Sequence, residues 1–180
     1  MTGRRAPRRV RWNLLAVVVL AGCGRPPAPA PGPPAASAVV PVPAFTVAAR
    51  DIPPALALLV DPAVTDAQLE ALVNALRHAR ETGTLATMIP PTTPAAPNAP
   101  YGMVQIYVLS DPAYATDARL RAFVHPATTG DTLSPFEEAF GSRVRAFYFY
   151  IAQGGHEVGS IGLDEDGYRY GTTYRKLFGG

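Results

Sequence analysis

Thr65-Asp66-Ala67-Gln68-Leu69-Glu70-Ala71-Leu72-Val73-Asn74-Ala75-Leu76-Arg77-His78-Ala79-Arg80-Glu81 is the stretch that decides the fold. Leu69, Leu72, Val73, Leu76 and Ala79 recur at i, i+3, i+4 and i+7 spacing, so the pattern predicts a helix over 66–81 with one apolar stripe. Thr65 takes the N-cap and Gln68 stands at N3, the pair that makes a capping box. Val64 and Leu69 occupy the hydrophobic-staple positions, and Gly83 supplies the stop. A one-sided helix needs an apolar surface to sit on.

That surface lies on both sides in sequence. Ala55-Leu56-Ala57-Leu58-Leu59-Val60 is a short apolar run closed by Asp61-Pro62, which suits a buried strand. Met103 to Leu109 is β-branched and aromatic, with Val104, Ile106 and Val108 on one face and Gln105 and Tyr107 on the other. The strand–helix–strand unit is expected to be a right-handed crossover. Phe45-Thr46-Val47-Ala48 reads as an edge strand before it.

Thr116 caps a short helix through Phe123, and Ser134-Pro135-Phe136-Glu137 opens another with a capping box and Pro at N1. Gly141 keeps the latter short. Val144 to Ala152 is an aromatic strand, with Phe147, Phe149 and Ile151 on one face and Val144, Ala146, Tyr148 and Tyr150 on the opposite one. Gln153-Gly154-Gly155-His156 turns it into an antiparallel partner ending at Leu163, and Tyr168 to Tyr174 pairs again after Asp164-Glu165-Asp166-Gly167. No internal repeat is read. The expected architecture is α+β: a two-layer sandwich with a mixed, largely antiparallel sheet and helices on one face.

The amino end is read as an address. Arg4, Arg5, Arg8, Arg9 and Arg11 precede the apolar run Leu14 to Ala21, with no acid among them. A basic region, a short apolar core and small residues at a cleavage point are the parts of a secretory signal. Eight apolar residues make about 12 Å of helix, against a bilayer core of about 30 Å. Neither arginine pair has the apolar residue two places on that a twin-arginine signal prefers, so general secretion is expected.

Leu20-Ala21-Gly22-Cys23 resembles the lipobox of bacterial lipoproteins. The resemblance covers the first 23 residues or so. It implies cleavage between Gly22 and Cys23, a diacylglycerol on the Cys23 thiol and acylation of the new amino terminus. Gly24 is not Asp, the residue that favours inner-membrane retention in the enterobacterial version of the signal. The implied location is the cell envelope, membrane-anchored outside the cytoplasm, with the periplasmic side of an outer membrane favoured where the organism has one.

Cleavage changes the composition. The 180 residues carry 16 basic and 14 acidic side chains, a net of +2. Five of those arginines lie in residues 1–22, so the mature chain has 11 basic against 14 acidic, a net of −3. A nucleic-acid partner loses its basis. The single Cys excludes an intramolecular disulfide framework, and with three His it excludes a zinc finger. Eight of the 20 prolines fall in residues 24–43, which favours an extended tether. The domain reading is a signal over 1–22, lipidated Cys23 and tether over 23–43, and one α+β domain over 44–180. A second proline-rich stretch, from Pro90 to Pro100, reads as a surface loop.

Nothing in 44–180 carries a catalytic signature. There is no G-x-S-x-G elbow and no phosphate loop. His78, His125 and His156 are not at metal-ligand spacing, and neither a metal nor a cofactor is expected. Gly154-Gly155-His156 reads as a hairpin turn, Ser110-Asp111-Pro112 as an Asx-type turn, and Glu137-Glu138 as divergent neighbours on a helix. Eight Tyr and six of the seven Phe lie between residues 101 and 178. Tyr107, Tyr148 and Tyr150 can share one sheet face opposite the helices, which is a docking surface for an envelope protein or glycan if it is not covered, the alternative being that the carboxyl-terminal segment or the proline loop covers it.

Three functions stay open. The first is a lipid-anchored, non-catalytic interaction or scaffold module, with the membrane held through Cys23. The second is an envelope hydrolase of wall or sugar polymers, which a pocket gathering two or more of His125, His156, Asp111 and Glu157 would favour. The third is small-ligand binding between sheet and helices.

Overall fold

The chain's strands lie side by side in the order in which they are made. The computed structural model describes residues 39–91, 102–126, 133–165 and 168–179. The elements are β1 (Phe45–Ile52), β2 (Ala55–Val60), α1 (Asp66–Glu81), β3 (Met103–Leu109), α2 (Asp117–Val124), α3 (Pro135–Gly141), β4 (Val144–Ile151), β5 (His156–Glu165) and β6 (Tyr168–Gly179). They form one six-stranded sheet in the order β1-β2-β3-β4-β5-β6. Only β2 and β3 are parallel, because α1 carries the chain back between them; every other neighbour is antiparallel. The α+β class and the mixed, largely antiparallel sheet are as the sequence predicts. Among the described residues the first that is buried is Pro43.

Local chemistry sets the helices as expected. Thr65 and Gln68 form the capping box of α1, and its buried residues are Leu69, Leu72, Val73, Leu76 and Ala79. Thr116 caps α2. Ser134 and Glu137 close a second capping box on α3, with Pro135 at the start of the helix. The Glu137 carboxyl sits below its ordinary value because it accepts hydrogen bonds from Ser134.

The expectation of helices on one face is corrected. Leu56, Leu58, Val104, Ile106, Val108 and Tyr148 pack under α1. Ala55, Ala57, Tyr107, Leu109 and Phe147 point the other way and meet Leu120 and Phe123 of α2 and Phe140 of α3. The sheet is therefore sandwiched, α1 on one side and α2 with α3 on the other. The physical reason is visible in β2, where Ala55, Leu56, Ala57 and Leu58 are each 0 % exposed. A strand apolar at every position must be covered on both faces. On the α2/α3 side the cover is aromatic: the Phe123 and Phe140 rings stack at 4.5 Å, and Tyr107 meets Phe123 edge-on at 5.7 Å.

The structure also brings out a repeat that the sequence reading passes over. Asp61-Pro62-Ala63-Val64-Thr65-Asp66-Ala67-Gln68-Leu69 follows β2, and Asp111-Pro112-Ala113-Tyr114-Ala115-Thr116-Asp117-Ala118-Arg119-Leu120 follows β3. The two strands are in register, Leu59 beside Leu109. In each turn the Asp Oδ1 accepts the amide two residues on, at 2.8 Å from Ala63 and 2.9 Å from Ala113. Each Thr then caps its helix. One extra residue, Ala115, separates the two copies, and their helices leave to opposite faces of the sheet.

Candidate functional site

The tyrosines do not make the expected docking face. Tyr107 pairs across the sheet with Phe147, while Tyr148 pairs with Ile106. Tyr107 therefore faces α2 and α3, and Tyr148 faces α1. Tyr107 is 1 % exposed and Tyr148 0 %, so neither offers surface to a partner. Tyr150 is half-buried and lies under the Arg80 guanidinium, 4.7 Å from ring centroid to Cζ.

Tyr148 instead belongs to a polar cluster that ties α1 to the sheet. Its hydroxyl donates to Glu157 Oε1 at 2.7 Å. Arg80 donates to the same carboxylate through both Nε (2.8 Å) and Nη2 (3.1 Å). Arg77 Nε lies 3.3 Å from Oε2, and its guanidinium covers the Phe178 ring. Burial works against the Arg80 charge, but the hydrogen bonds and attraction of Glu157 outweigh it and hold the guanidinium above its ordinary value. Burial, then the bond to Glu157, pushes the Tyr148 phenol well above its ordinary value. A cavity of about 370 Å³ opens beside this cluster, lined by Arg77, Gly154, Gly155, His156, Glu157 and Phe178. It gathers His156 and Glu157, yet both Glu157 oxygens are occupied by Arg80, Arg77 and Tyr148. The His156 ring packs at the opposite face, edge-on to Phe149 at 5.6 Å. These two residues make no acid–base pair.

The other residues singled out in the sequence are dispersed. His78 sits on the exposed side of α1, and His125 follows the last turn of α2. Asp111 forms the expected Asx-type turn and lies 3.6 Å from Arg143. Gly154 and Gly155 have φ of +88° and +67°, as a tight β4–β5 turn requires. Among the described residues no group of three His, Cys, Asp or Glu could hold a metal. Gly22, Cys23, most of the second proline-rich stretch, and Asp166 and Gly167 lie outside the described residues.

The candidate site is a groove on the sheet face that α2 and α3 share. Gln105, Phe149 and Val158 stand abreast on β3, β4 and β5. Met103, Ile151 and His156 form the next row. A cavity of about 260 Å³ is lined by Met103, Gln105, Phe147, Phe149, His156 and Asp164, among others. Its floor is aromatic, and Phe149, Ile151 and Val158 are only half-buried. The Gln105 carboxamide and His156 imidazole have no hydrogen-bond partner among the described residues. An apolar floor with a few polar groups on rigid strands suits binding by contact area and hydrogen bonds. Sequence reasoning placed Gln105, Phe149 and His156 on their strands but had no means of placing them side by side.

No known protein family, curated protein or solved structure matches this chain.

Proposed function

We propose that the chain is a lipid-anchored cell-envelope protein whose domain is a non-catalytic interaction module. Cys23 is the anchor, and the Gln105–Phe149–His156 groove is the surface offered to an envelope protein or glycan. The observation that carries the anchor is Leu20-Ala21-Gly22-Cys23 behind a basic region and an eight-residue apolar run. The groove supports the binding role, since it sets the half-buried Phe149 ring beside Gln105 and His156, whose side chains have no hydrogen-bond partner among the described residues. The cluster around Glu157 has no such capacity left, which favours binding over hydrolysis there.

Metabolic labelling with a palmitate analogue tests the anchor. Label and membrane fractionation are expected in the native chain and absent in Cys23→Ala. Label persisting in Cys23→Ala would falsify the anchor. Co-purification from the envelope, repeated with the Gln105→Ala/His156→Ala double variant, tests the groove. A partner set unchanged by that variant removes the groove from the reading.

A further inference from the structure

The connections that leave β2 and β3 part to opposite faces of the sheet. The two strands are adjacent and parallel, and the helix after β2 covers one face while the helix after β3 covers the other. The parting leaves room beyond the carboxyl ends of the two strands. A cavity of about 550 Å³ lies there. Its walls include Leu59 and Val60 at the end of β2, Phe45 of β1, and Pro62 and Pro112 from the two repeated turns.

Three polar residues, Asp61, Thr46 and Ser110, are among those that line the same cavity. Asp61 Oδ1 is taken by the Ala63 amide. Oδ2 has no partner among the described residues, and neither hydroxyl has one. The nearby cations are committed elsewhere. Arg145 donates to the Pro62 and Val64 carbonyls at 3.2 and 2.6 Å, and Arg143 pairs with Asp111. The crevice therefore combines largely apolar walls with one carboxylate residue and two hydroxyl residues at its rim.

The geometry points to a binding site for a small organic amine: an apolar body against Leu59, Phe45 and the two prolines, with its ammonium on Asp61. An ammonium has three donors and no acceptor, which matches a carboxylate and two hydroxyl oxygens. This site is separate from the β3–β5 groove and does not depend on the lipid anchor.

Heteronuclear NMR on the full chain tests it with three probes that share a phenylethyl body: 2-phenylethylammonium, 2-phenylethanol and 3-phenylpropionate. Saturable shifts are expected at the amides of Thr46, Leu59 to Asp61 and Ser110. The ammonium should bind about two- to fivefold tighter than the alcohol, the range of an exposed ion pair, and the carboxylate weakest. Asp61→Asn keeps the Ala63 acceptor and should equalise ammonium and alcohol. Thr46→Trp fills the crevice from an exposed strand position and should abolish the shifts for all three. Non-saturating or dispersed shifts overturn the site. An ammonium preference that survives Asp61→Asn overturns the assignment of its ligand.

Discussion

Replacing Glu157 with Leu should destabilise the domain by about 3 kcal/mol. The carboxylate is only 12 % exposed and receives a two-point bond from Arg80, a 2.7 Å bond from Tyr148 and a further contact from Arg77. Removing one member of a buried ion pair costs about 3–5 kcal/mol, because the remaining charge is left without compensation. Arg80 is 23 % exposed and keeps a 3.3 Å contact to Glu81, so water and that second carboxylate recover part of the loss. The Tyr148 hydroxyl fares worse. It is wholly buried, and an orphaned hydroxyl costs about 1–3 kcal/mol. The two effects share one carboxylate, so about 3 kcal/mol is the expected sum. At about 2–4 °C per kcal/mol for a domain near this size, Tm should fall by roughly 10 °C.

Urea unfolding followed by far-UV circular dichroism measures the cost. A double-mutant cycle then locates it. Arg80→Met alone should also destabilise, and Glu157→Leu/Arg80→Met should be less destabilised than the sum of the singles, because no uncompensated charge remains. A single-variant cost below about 1 kcal/mol, or strict additivity in the cycle, would refute the view that orphaned buried groups dominate.

Three further predictions follow from the same geometry. The Tyr148 phenol is held above its ordinary value of 10.0, so an unfolded chain loses this proton first as pH rises. Its contribution is full below about pH 10 and is lost above it; Tyr148→Phe should flatten the alkaline limb of stability against pH, and an unchanged slope would exclude the phenol as its source. Thr65→Ala removes the α1 capping box and should cost about 1 kcal/mol by chemical denaturation, whereas Thr65→Ser should be nearly silent. Gly162 and Gly83 both have φ of +71°, but a Cβ on Gly162 would strike the Thr173 carbonyl oxygen while one on Gly83 meets nothing. Gly83→Ala should cost about 1–2 kcal/mol from backbone strain alone, and Gly162→Ala clearly more; equal losses would mean that β6 yields.

Much of the fold was legible because its signals are local. The stripe from Leu69 to Ala79 needed only helical spacing, and the caps at Thr65, Thr116 and Ser134 needed only their next three residues. The tyrosine face failed for a reason of register. Alternation fixes which residues of one strand share a face, but not how two strands align, and a slip of one residue exchanges the faces. Tyr107 stands beside Phe147, so the two apolar sets of β3 and β4 combine differently from the expectation. The groove was illegible on the same ground, since Gln105, Phe149 and Val158 become neighbours only through two pairings. The cover on both faces did leave a mark, in the unbroken apolar run of β2.

The repeated turns show how little sequence separates two opposite outcomes. After β2 and β3 the chain makes the same Asp-Pro-Ala turn, closes it with the same side-chain bond and caps the next helix with Thr followed by Asp and Ala. Capping therefore does not decide which face a helix takes. Two differences remain. One is the added Ala115, buried at 5 % exposure on the α2 side, which lengthens the second turn by one residue. The other is the surface that awaits each helix. α1 presents leucines to Leu56, Leu58 and Ile106, whereas α2 presents Leu120 and Phe123 to the alanines of β2 and the ring of Tyr107. Ala55 and Ala57 leave room on that face, and Phe123 and Phe140 fill it with aromatic volume. Side-chain volume on the two faces of β2 thus matches the helix that each face receives, and the extra residue lets the second helix reach the face that fits it. The two connections that part at Asp61 and Asp111 also wall the crevice beyond β2 and β3, so the device that covers both faces of the sheet shapes the cavity at its end.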